Sequence, residues 1–442
     1  MKNLALIFLA LATLARPVLA ITLEDALATT LEKNPAIQQA HSALEQAAGR
    51  RLILRAIALP RARIGSAAGA EGGDRAGQGS GIKPFGFAQG FLTQALFNAA
   101  IPASYRRGNV EVLIAQQRLN VAVVEQLHTA RVAFYTALYN HSLETLREEQ
   151  RNRLEQNVSS EKERYESGKS DRGAFTAATL VARELEPAVE EAHRAHQGAV
   201  LKLAETMGHA LGPDAKLPEP DGALEFTALH VDLGSETAAA LERRTDLKLA
   251  RLLVRAAEED QRILEADYYP AINGLLSGEY IPSSGARREN ETSPQRSNGI
   301  ISSEYRAQAD YTWRVVDNGK VGGAVAKQRA IRQMNDATRE KLEANVPREL
   351  ERIRNELQSV AASEKSLEAA VAASEENVSI IRESLAQGLL SQLDFRTAEN
   401  GLLETKSGVL TATYQQDILR AEWDRATGRY FQFSDDTAGN VR

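Results

Sequence analysis

Cysteine is absent from the chain, and aromatic residues make up only 5% of it. Without a thiol there is no disulfide, no thiolate nucleophile and no cysteine to carry a bacterial lipid anchor. If it is exported, a cysteine-free chain is consistent with a bacterial periplasm or outer membrane. Also missing, past the first twenty residues, is any run of about 18 apolar residues, so a membrane-spanning helix is excluded and strands are the one route into a bilayer. No strong charge excess exists either. The 53 Lys and Arg stand against 59 Asp and Glu, a formal net charge of −6 that points away from nucleic acid. Signatures of catalysis are missing too: no glycine loop precedes a helix to cradle phosphate, and there is neither a nucleophile elbow nor a zinc-protease pattern. Gly77-Gln78-Gly79-Ser80-Gly81 opens no helix and reads as a connector. The chain is therefore read as no enzyme, with no catalytic residue, cofactor or metal.

What is present is helix of unusual length. From Lys320 to Gln387 no turn signal interrupts the sequence before Gly388. Leu342, Val346, Leu350, Ile353, Leu357 and Val360, then Leu367, Val371, Val378, Ile381 and Leu385, recur at steps of three, four or seven, which is a helical stripe. One helix through the stretch would run roughly 100 Å, and so narrow a stripe needs neighbours of similar length to bury it. Pro347 removes one amide donor inside it and predicts a bend. Ala99 to Glu166 is a second such run, ending at Gly168. Ahead of both, residues 1–20 carry Lys2, an apolar run from Leu4 to Leu14, and Val18-Leu19-Ala20. That pattern is a secretory signal peptide with Ile21 as the first mature residue.

The sequence is one unit written twice. Leu31, Asn34-Pro35-Ala36-Ile37, Ala47 and Pro60 have counterparts 210 residues later in Leu241, Arg244-Thr245-Asp246-Leu247, Ala257 and Pro270. Phe97-Asn98 corresponds to Val316-Asp317, and Gly168, Phe175 and Met207-Gly208 correspond to Gly388, Phe395 and Thr427-Gly428 at an offset of 220. The first repeat is placed at 21–210, with a β-hairpin at about 61–97, a long helix at about 99–166 and a returning helix at about 170–209, which holds Pro187. A proline-rich linker at 211–232 leads to the second repeat at 233–428. Its hairpin lies at about 271–316, its long helix at about 319–387 and its returning helix at about 391–427, and 429–442 form a tail.

The strands rest on alternation. In Ile301 to Val315 the odd positions include Tyr305 and Tyr311, whereas Glu304, Arg306, Gln308 and Asp310 are all polar, so one face is apolar and one is wet. Ile272, Leu276 and Tyr280 share a face opposite Asn273, Ser277 and Glu279. In the first unit Phe85, Phe87, Phe91 and Phe97 share a parity, while Arg61 to Gly73 alternates poorly. Glu71–Pro84 and Pro282–Gly299 read as exposed loops. The fold class is mainly α with a small β portion of four strands. Four strands cannot close a barrel, so if they enter a bilayer the chain must oligomerise.

Two further sites stand out. His193 and His196 lie three apart on a helix and could share a metal, but without a third ligand in view they read as solvated side chains among Glu190, Glu191 and Arg194. Asp394, six residues after Gly388, reads as a helix-start acid favoured by the helix dipole.

Taken together, the Asn34-Pro35 opening, its copy Arg244-Thr245-Asp246-Leu247, the helix-ending Pro60 and Pro270, Val316-Asp317-Asn318-Gly319 before a long helix and Arg164-Tyr165-Glu166-Ser167-Gly168 at a tip resemble the TolC-type outer-membrane efflux proteins. The resemblance covers nearly the whole mature chain, and the duplicated order of these motifs is its specific part. It implies a homotrimer in the outer membrane of a Gram-negative bacterium, in which each subunit gives four strands to a 12-stranded barrel and its long helices to a periplasmic α-barrel. It implies passive export, in tripartite efflux or type I secretion, with a periplasmic adaptor and an inner-membrane pump of RND or ABC type docking at the tips, which turn at Gly168 and Gly388. Asp394 matches an acidic position that lines the narrow periplasmic entrance in the family. At the first tip Ala174 holds the equivalent place, with Asp171 and Arg172 near it, and these three charged residues are the pore and gate candidates. The alternative reading is a periplasmic adaptor, which also has long helical hairpins and a signal peptide but carries one hairpin between compact β domains.

Overall fold

The computed structural model describes residues 20–75, 78–209, 217–229, 231–280 and 303–430. The signal-peptide reading of residues 1–19, the second connector loop within 281–302 and the tail from 431 onward lie outside the described residues, as does 210–216 of the linker.

Helices dominate, and they come in matching sets. A short strand β1 (Ala20–Ile21) is followed by α1 (Leu23–Lys33) and α2 (Pro35–Arg55). Strands β2 (Arg61–Arg75) and β3 (Gln78–Phe97) lead into α3 (Ala100–Glu166), and α4 (Arg172–Thr206) returns. After β4 (Glu219–Pro220) the order recurs: α5 (Leu233–Arg243), α6 (Thr245–Glu265), β5 (Ala271–Tyr280), β6 (Ser303–Thr312), α7 (Lys320–Ala386) and α8 (Gln392–Ala426). The lengths agree residue for residue. The two long helices have 67 residues each, the returning helices 35, and the opening pairs 11 and 21. Helix α7 runs unbroken through Pro347, whose exposed ring faces water, and α4 likewise contains Pro187.

Two compact units divide these elements. The first holds the described residues within 20–41, 119–245 and 343–430. Its core packs Phe134, Ala137 and Leu138 of α3 against Val200 and Leu203 of α4, with Ile21 and Ala26 beside them. Val346, Leu350 and Ile353 of the α7 stripe are fully buried in the same unit. Each such aliphatic side chain contributes about 1.5–3 kcal/mol on leaving water, which is why a stripe so narrow can hold a helix so long.

How each repeat closes on itself explains the motif at its start. Asn34 interrupts α1 and α2; its Oδ1 accepts from the Ala36 amide at 2.8 Å, and its Nδ2 donates to the carbonyl of Thr206, the last residue of α4, at 2.8 Å. Gly208, in the left-handed region at φ 72°, lies so close that an added Cβ would stand 2.5 Å from the Lys33 carbonyl oxygen. In the second repeat Arg244 holds the place of Asn34. Its guanidinium donates to the carbonyl of Ala426, the last residue of α8, at 3.3 Å and to Glu349 at 2.5 Å. Gly428, φ 71°, abuts Arg243 and Arg244. Asparagine and arginine thus do one job in two ways: each ties the end of a returning helix to the break between its opening helices.

The second unit holds the described residues within 42–118 and 246–342. Val110, Ile114 and Ala256 form its helical core, flanked by Leu249, Leu252 and Leu253. Arg106 clasps Glu259 through both carboxylate oxygens at 3.0 Å, and Arg107 donates to Asp260 at 2.8 Å. The same unit carries the main sheet. Its order is β2-β3-β5-β6, antiparallel throughout, so the two hairpins join through β3 and β5.

The first connector differs from its sequence reading. Pairing continues from Arg61↔Thr93 out to Glu71↔Lys83 and, past an irregularity, Arg75↔Gln78, so most of Glu71–Pro84 is strand. Small residues alternate too weakly to register as a strand by pattern, yet Gly and Ala leave backbone donors and acceptors free to pair.

Candidate functional site

Register decides which side chains share a face of the sheet, because directly opposed residues in an antiparallel pair point the same way. Tyr311↔Ile272, Ala307↔Leu276 and Tyr305↔Gly278 put the odd positions of β6 with Ile272, Leu276 and Tyr280 of β5. Leu276↔Leu92 and Leu92↔Ala62 carry the same face across β3 to β2, where Ile64 joins it. This apolar face is open to solvent: Ile64 is 87% exposed, Tyr305 86% and Leu276 53%. The opposite face holds Glu304, Arg306, Gln308 and Asp310 of β6, Asn273, Ser277 and Glu279 of β5, and Arg61 and Arg63 of β2.

Parity misleads at the phenylalanines. Phe91 pairs with Ser277 and Arg63, and Phe87 with Ala67, so both stand on the polar face. A register shift between Ala95 and Phe97 then returns Phe97 to the apolar face opposite Ile272. One apolar parity running from Phe85 to Phe97 is therefore broken by a bulge.

Strands β5 and β6 have ten residues each, the length that crosses a hydrocarbon core when tilted. Exposed aromatic residues gather at both ends. Tyr268, Tyr269, Tyr311 and Trp313 lie at one end and Tyr280 and Tyr305 at the other, about 20 Å apart along β6 by strand rise. Aromatic girdles at two interfaces around an apolar band mark a barrel wall in lipid. Strands β2 and β6 have no outer neighbour among the described residues, and no described helix is long and apolar enough to cross a membrane.

In the first unit, both hairpin tips turn by the same device. Gly168 (φ 71°) and Gly388 (φ 74°) let the chain reverse in the left-handed region. Lys169 N donates to Arg164 O at 2.8 Å, and Leu389 N donates to Ser384 O at 2.9 Å. After the first turn Asp171 caps α4 by accepting from the Ala174 amide at 2.7 Å, and Arg172 is the first, exposed residue of that helix. After the second, Ser391 and Asp394 form a reciprocal capping box at the start of α8. The Asp394 carboxylate accepts from the Ser391 hydroxyl at 2.6 Å and from its amide at 3.0 Å. Those bonds hold its carboxyl below the usual range. Asp394 is thus a helix-start acid by geometry and also a fully exposed charge at a tip. The tips differ in their aromatic residue: Phe175 stacks on Tyr165 at 6.1 Å, whereas the guanidinium groups of Arg382 and Arg396 each stand 5.5 Å from the Phe395 ring.

The histidines depart from their sequence reading. His193 is half exposed, but His196 is 9% exposed, and both bind Glu144 of α3 through Nδ1, at 2.5 and 2.6 Å. Burial would raise the Glu144 carboxyl, and these two imidazole contacts outweigh it to hold the group low. Glu144 and its neighbour His141 went unnoticed in the sequence. They stand on the other limb of the hairpin, at nearly the same distance before Gly168 as the histidines stand after it.

Residues 237–429 match the family model described as outer membrane efflux protein. No curated protein sequence matches closely enough to count as a relative. Among solved structures, the chain is similar to the CmeC outer membrane channel of Campylobacter jejuni, with a TM-score of 0.80, 14% identity and coverage of 95% of this chain and 88% of that one. VceC of Vibrio cholerae gives a TM-score of 0.75 at 18% identity over 92% of this chain and 96% of that one. The open-state MtrE outer membrane channel of Neisseria gonorrhoeae gives 0.72 at 15% identity over 92% and 88%.

Proposed function

Since its second repeat matches the outer membrane efflux protein family and the chain folds like the channels CmeC, VceC and MtrE, we propose that this protein is the outer-membrane duct of a tripartite export system. It contributes four strands to a shared barrel in the outer membrane and its long helices to a periplasmic conduit. The observation that carries this reading is the sheet: an exposed apolar face between two aromatic girdles, with no outer neighbour for β2 or β6 among the described residues. Each unpaired backbone group in lipid costs several kcal/mol, so an open sheet must find further strands. Three copies supply twelve, enough for closure by a homotrimer.

Solute passes without covalent chemistry, and the energy comes from an inner-membrane pump reached through an adaptor that docks at the tips around Gly168 and Gly388. A periplasmic adaptor does not describe this chain, which has two matching units sharing one sheet in place of one hairpin between compact β domains. Asp394, Asp171 and Arg172 are the charges that such a conduit would present at its periplasmic entrance.

Cell fractionation tests the reading. The protein should sediment with outer membrane and run in mild detergent as a species of three chains that heating dissociates. Recovery as a soluble periplasmic monomer would sink it.

A further inference from the structure

Helices α3 and α4 bring two pairs of side chains face to face, each pair spaced by three residues. His141 and Glu144 come from α3, and His193 and His196 from α4. His141, Glu144 and His196 each place one potential ligand atom within 4.8 Å of the others. The rings of His141 and His196 have centroids 4.9 Å apart. His196 is the buried member, and its Nε2 has no hydrogen-bond partner. That nitrogen lies 3.6 Å from a Glu219 carboxylate oxygen on β4. Glu144 occupies Nδ1, so the outer carboxylate of Glu219 is the group that Nε2 faces.

We propose that His141, Glu144 and His196 bind a first-row divalent metal ion, with zinc the best match. Two imidazoles and one carboxylate are a borderline-soft N/O set of the kind zinc accepts in a tetrahedral site, with water in the fourth position. The ion takes the place of the proton between Glu144 Oε2 and His196 Nδ1. Ligand bonds of about 2.0–2.2 Å require those atoms to part slightly from their present 2.6 Å separation. The opposite nitrogen, Nε2–H, then points at Glu219, the outer carboxylate that fixes the tautomer of a ligating histidine. His193 holds the second oxygen of Glu144 and is itself within 2.8 Å of Gln197, so it orients the carboxylate without ligating. His141 is exposed and Glu219 partly so, which leaves the site open to ions from solvent.

The experiment uses tag-free, chelator-treated protein in detergent, titrated with zinc(II) by calorimetry at pH 7.5. One zinc per chain should bind, and the melting temperature should rise with it. His141→Ala and Glu144→Gln should each weaken binding at least tenfold and abolish the thermal shift, while keeping the far-UV circular dichroism of the parent. Affinity should fall between pH 7.5 and 5.5, since the imidazoles must be neutral to ligate. Cobalt(II) in place of zinc should give the intense visible absorption of a four-coordinate site in the parent and not in His141→Ala. Because His196→Asn can unfold a packed hairpin, the exposed His141 carries the decisive comparison. Parent protein that binds no zinc, or binds it as well as His141→Ala and Glu144→Gln do, overturns the proposal and leaves a hydrogen-bonded clamp.

Discussion

A single missing methyl group shapes the joint of each repeat. Gly168 and Gly208 share a left-handed backbone, but an added Cβ meets nothing within 4 Å at Gly168 and the Lys33 carbonyl oxygen at 2.5 Å at Gly208. Gly168→Ala should therefore cost only the conformational penalty, about 1 kcal/mol. Gly208→Ala must also push α4 off the α1–α2 break and should cost about 3 kcal/mol or more. Thermal melts of the two variants in detergent check the order, and equal shifts would show that the joint gives way easily. Asp417 on α8 supplies a second residue-scale expectation. Burial pushes its carboxyl up to about 6, against the opposing pull of Arg420 and Arg131. A folded-state value above the unfolded one means that this group favours the fold fully below about pH 4, and that the benefit is lost as pH rises through 6. Asp417→Asn, which never ionises, should be more stable than the parent above pH 6 by up to about 2 kcal/mol and should flatten the loss of stability between pH 4 and 7. Melting curves across that range test it; a parent that gains stability with rising pH there, with no change in the variant's advantage, would contradict it.

At the scale of elements, the sheet was legible where side chains alternate and illegible where they do not. Tyr305 and Tyr311 against Arg306 and Gln308 announce a two-faced strand in ten residues, whereas the Gly- and Ala-rich β2 has few side chains large enough to carry a period. The parity shared by Phe87, Phe91 and Phe97 does not put them on one face, since parity counted along a strand cannot foresee a bulge further on. The histidine cluster was illegible for another reason: His141, Glu144 and His196 come from two helices, and spacing within α4 alone shows only His193 and His196. Folding the sequence about Gly168 would have brought His141 and Glu144 beside His193 and His196. The face assignment has a direct test. Lysine at Tyr305 or Tyr311, which stand in the girdles toward the two interfaces, should cost about 1 kcal/mol, short of the roughly 2–4 kcal/mol of the bilayer midplane. It should reduce the yield of heat-dissociable trimer, while the same change at Gln308 leaves yield unchanged. Equal losses at all three positions would refute the faces. For the second tip, Asp394→Asn keeps an acceptor for the Ser391 donors and so should spare folding and trimer yield. Removing three charges around one axis should weaken cation selectivity in planar-bilayer conductance, because low-dielectric walls focus the field of a charged ring. Asp171→Asn should do less. Unchanged conductance in Asp394→Asn would reduce that residue to a cap.

For the molecule as a whole, the absence of cysteine is an experimental asset: any introduced thiol is the only one. Hairpins that cross an outer membrane turn outside, and their feet enter helices in the periplasm. Cysteine at Ser284, in the second connector, should react with a membrane-impermeant thiol reagent on intact cells, and cysteine at Ser167, beside the first tip, should react only after the outer membrane is breached. The reverse order would exclude an outer-membrane duct.

The equal lengths of the two repeats bear on how the chain was inherited. From Ala100 and Lys320 to Thr206 and Ala426 the offset stays fixed, yet most positions differ between the copies, with Asn157-Val158-Ser159 and Asn377-Val378-Ser379 among the few that agree. At the tips Arg164-Tyr165-Glu166-Ser167-Gly168 faces Ser384-Leu385-Ala386-Gln387-Gly388, with only the glycine in common. The copies differ at most positions of these hairpins and not in the lengths of their helices. What the two copies share in this stretch is a count of residues, and deleting a helical turn from one hairpin alone should be tolerated less well than deleting the same turn from both.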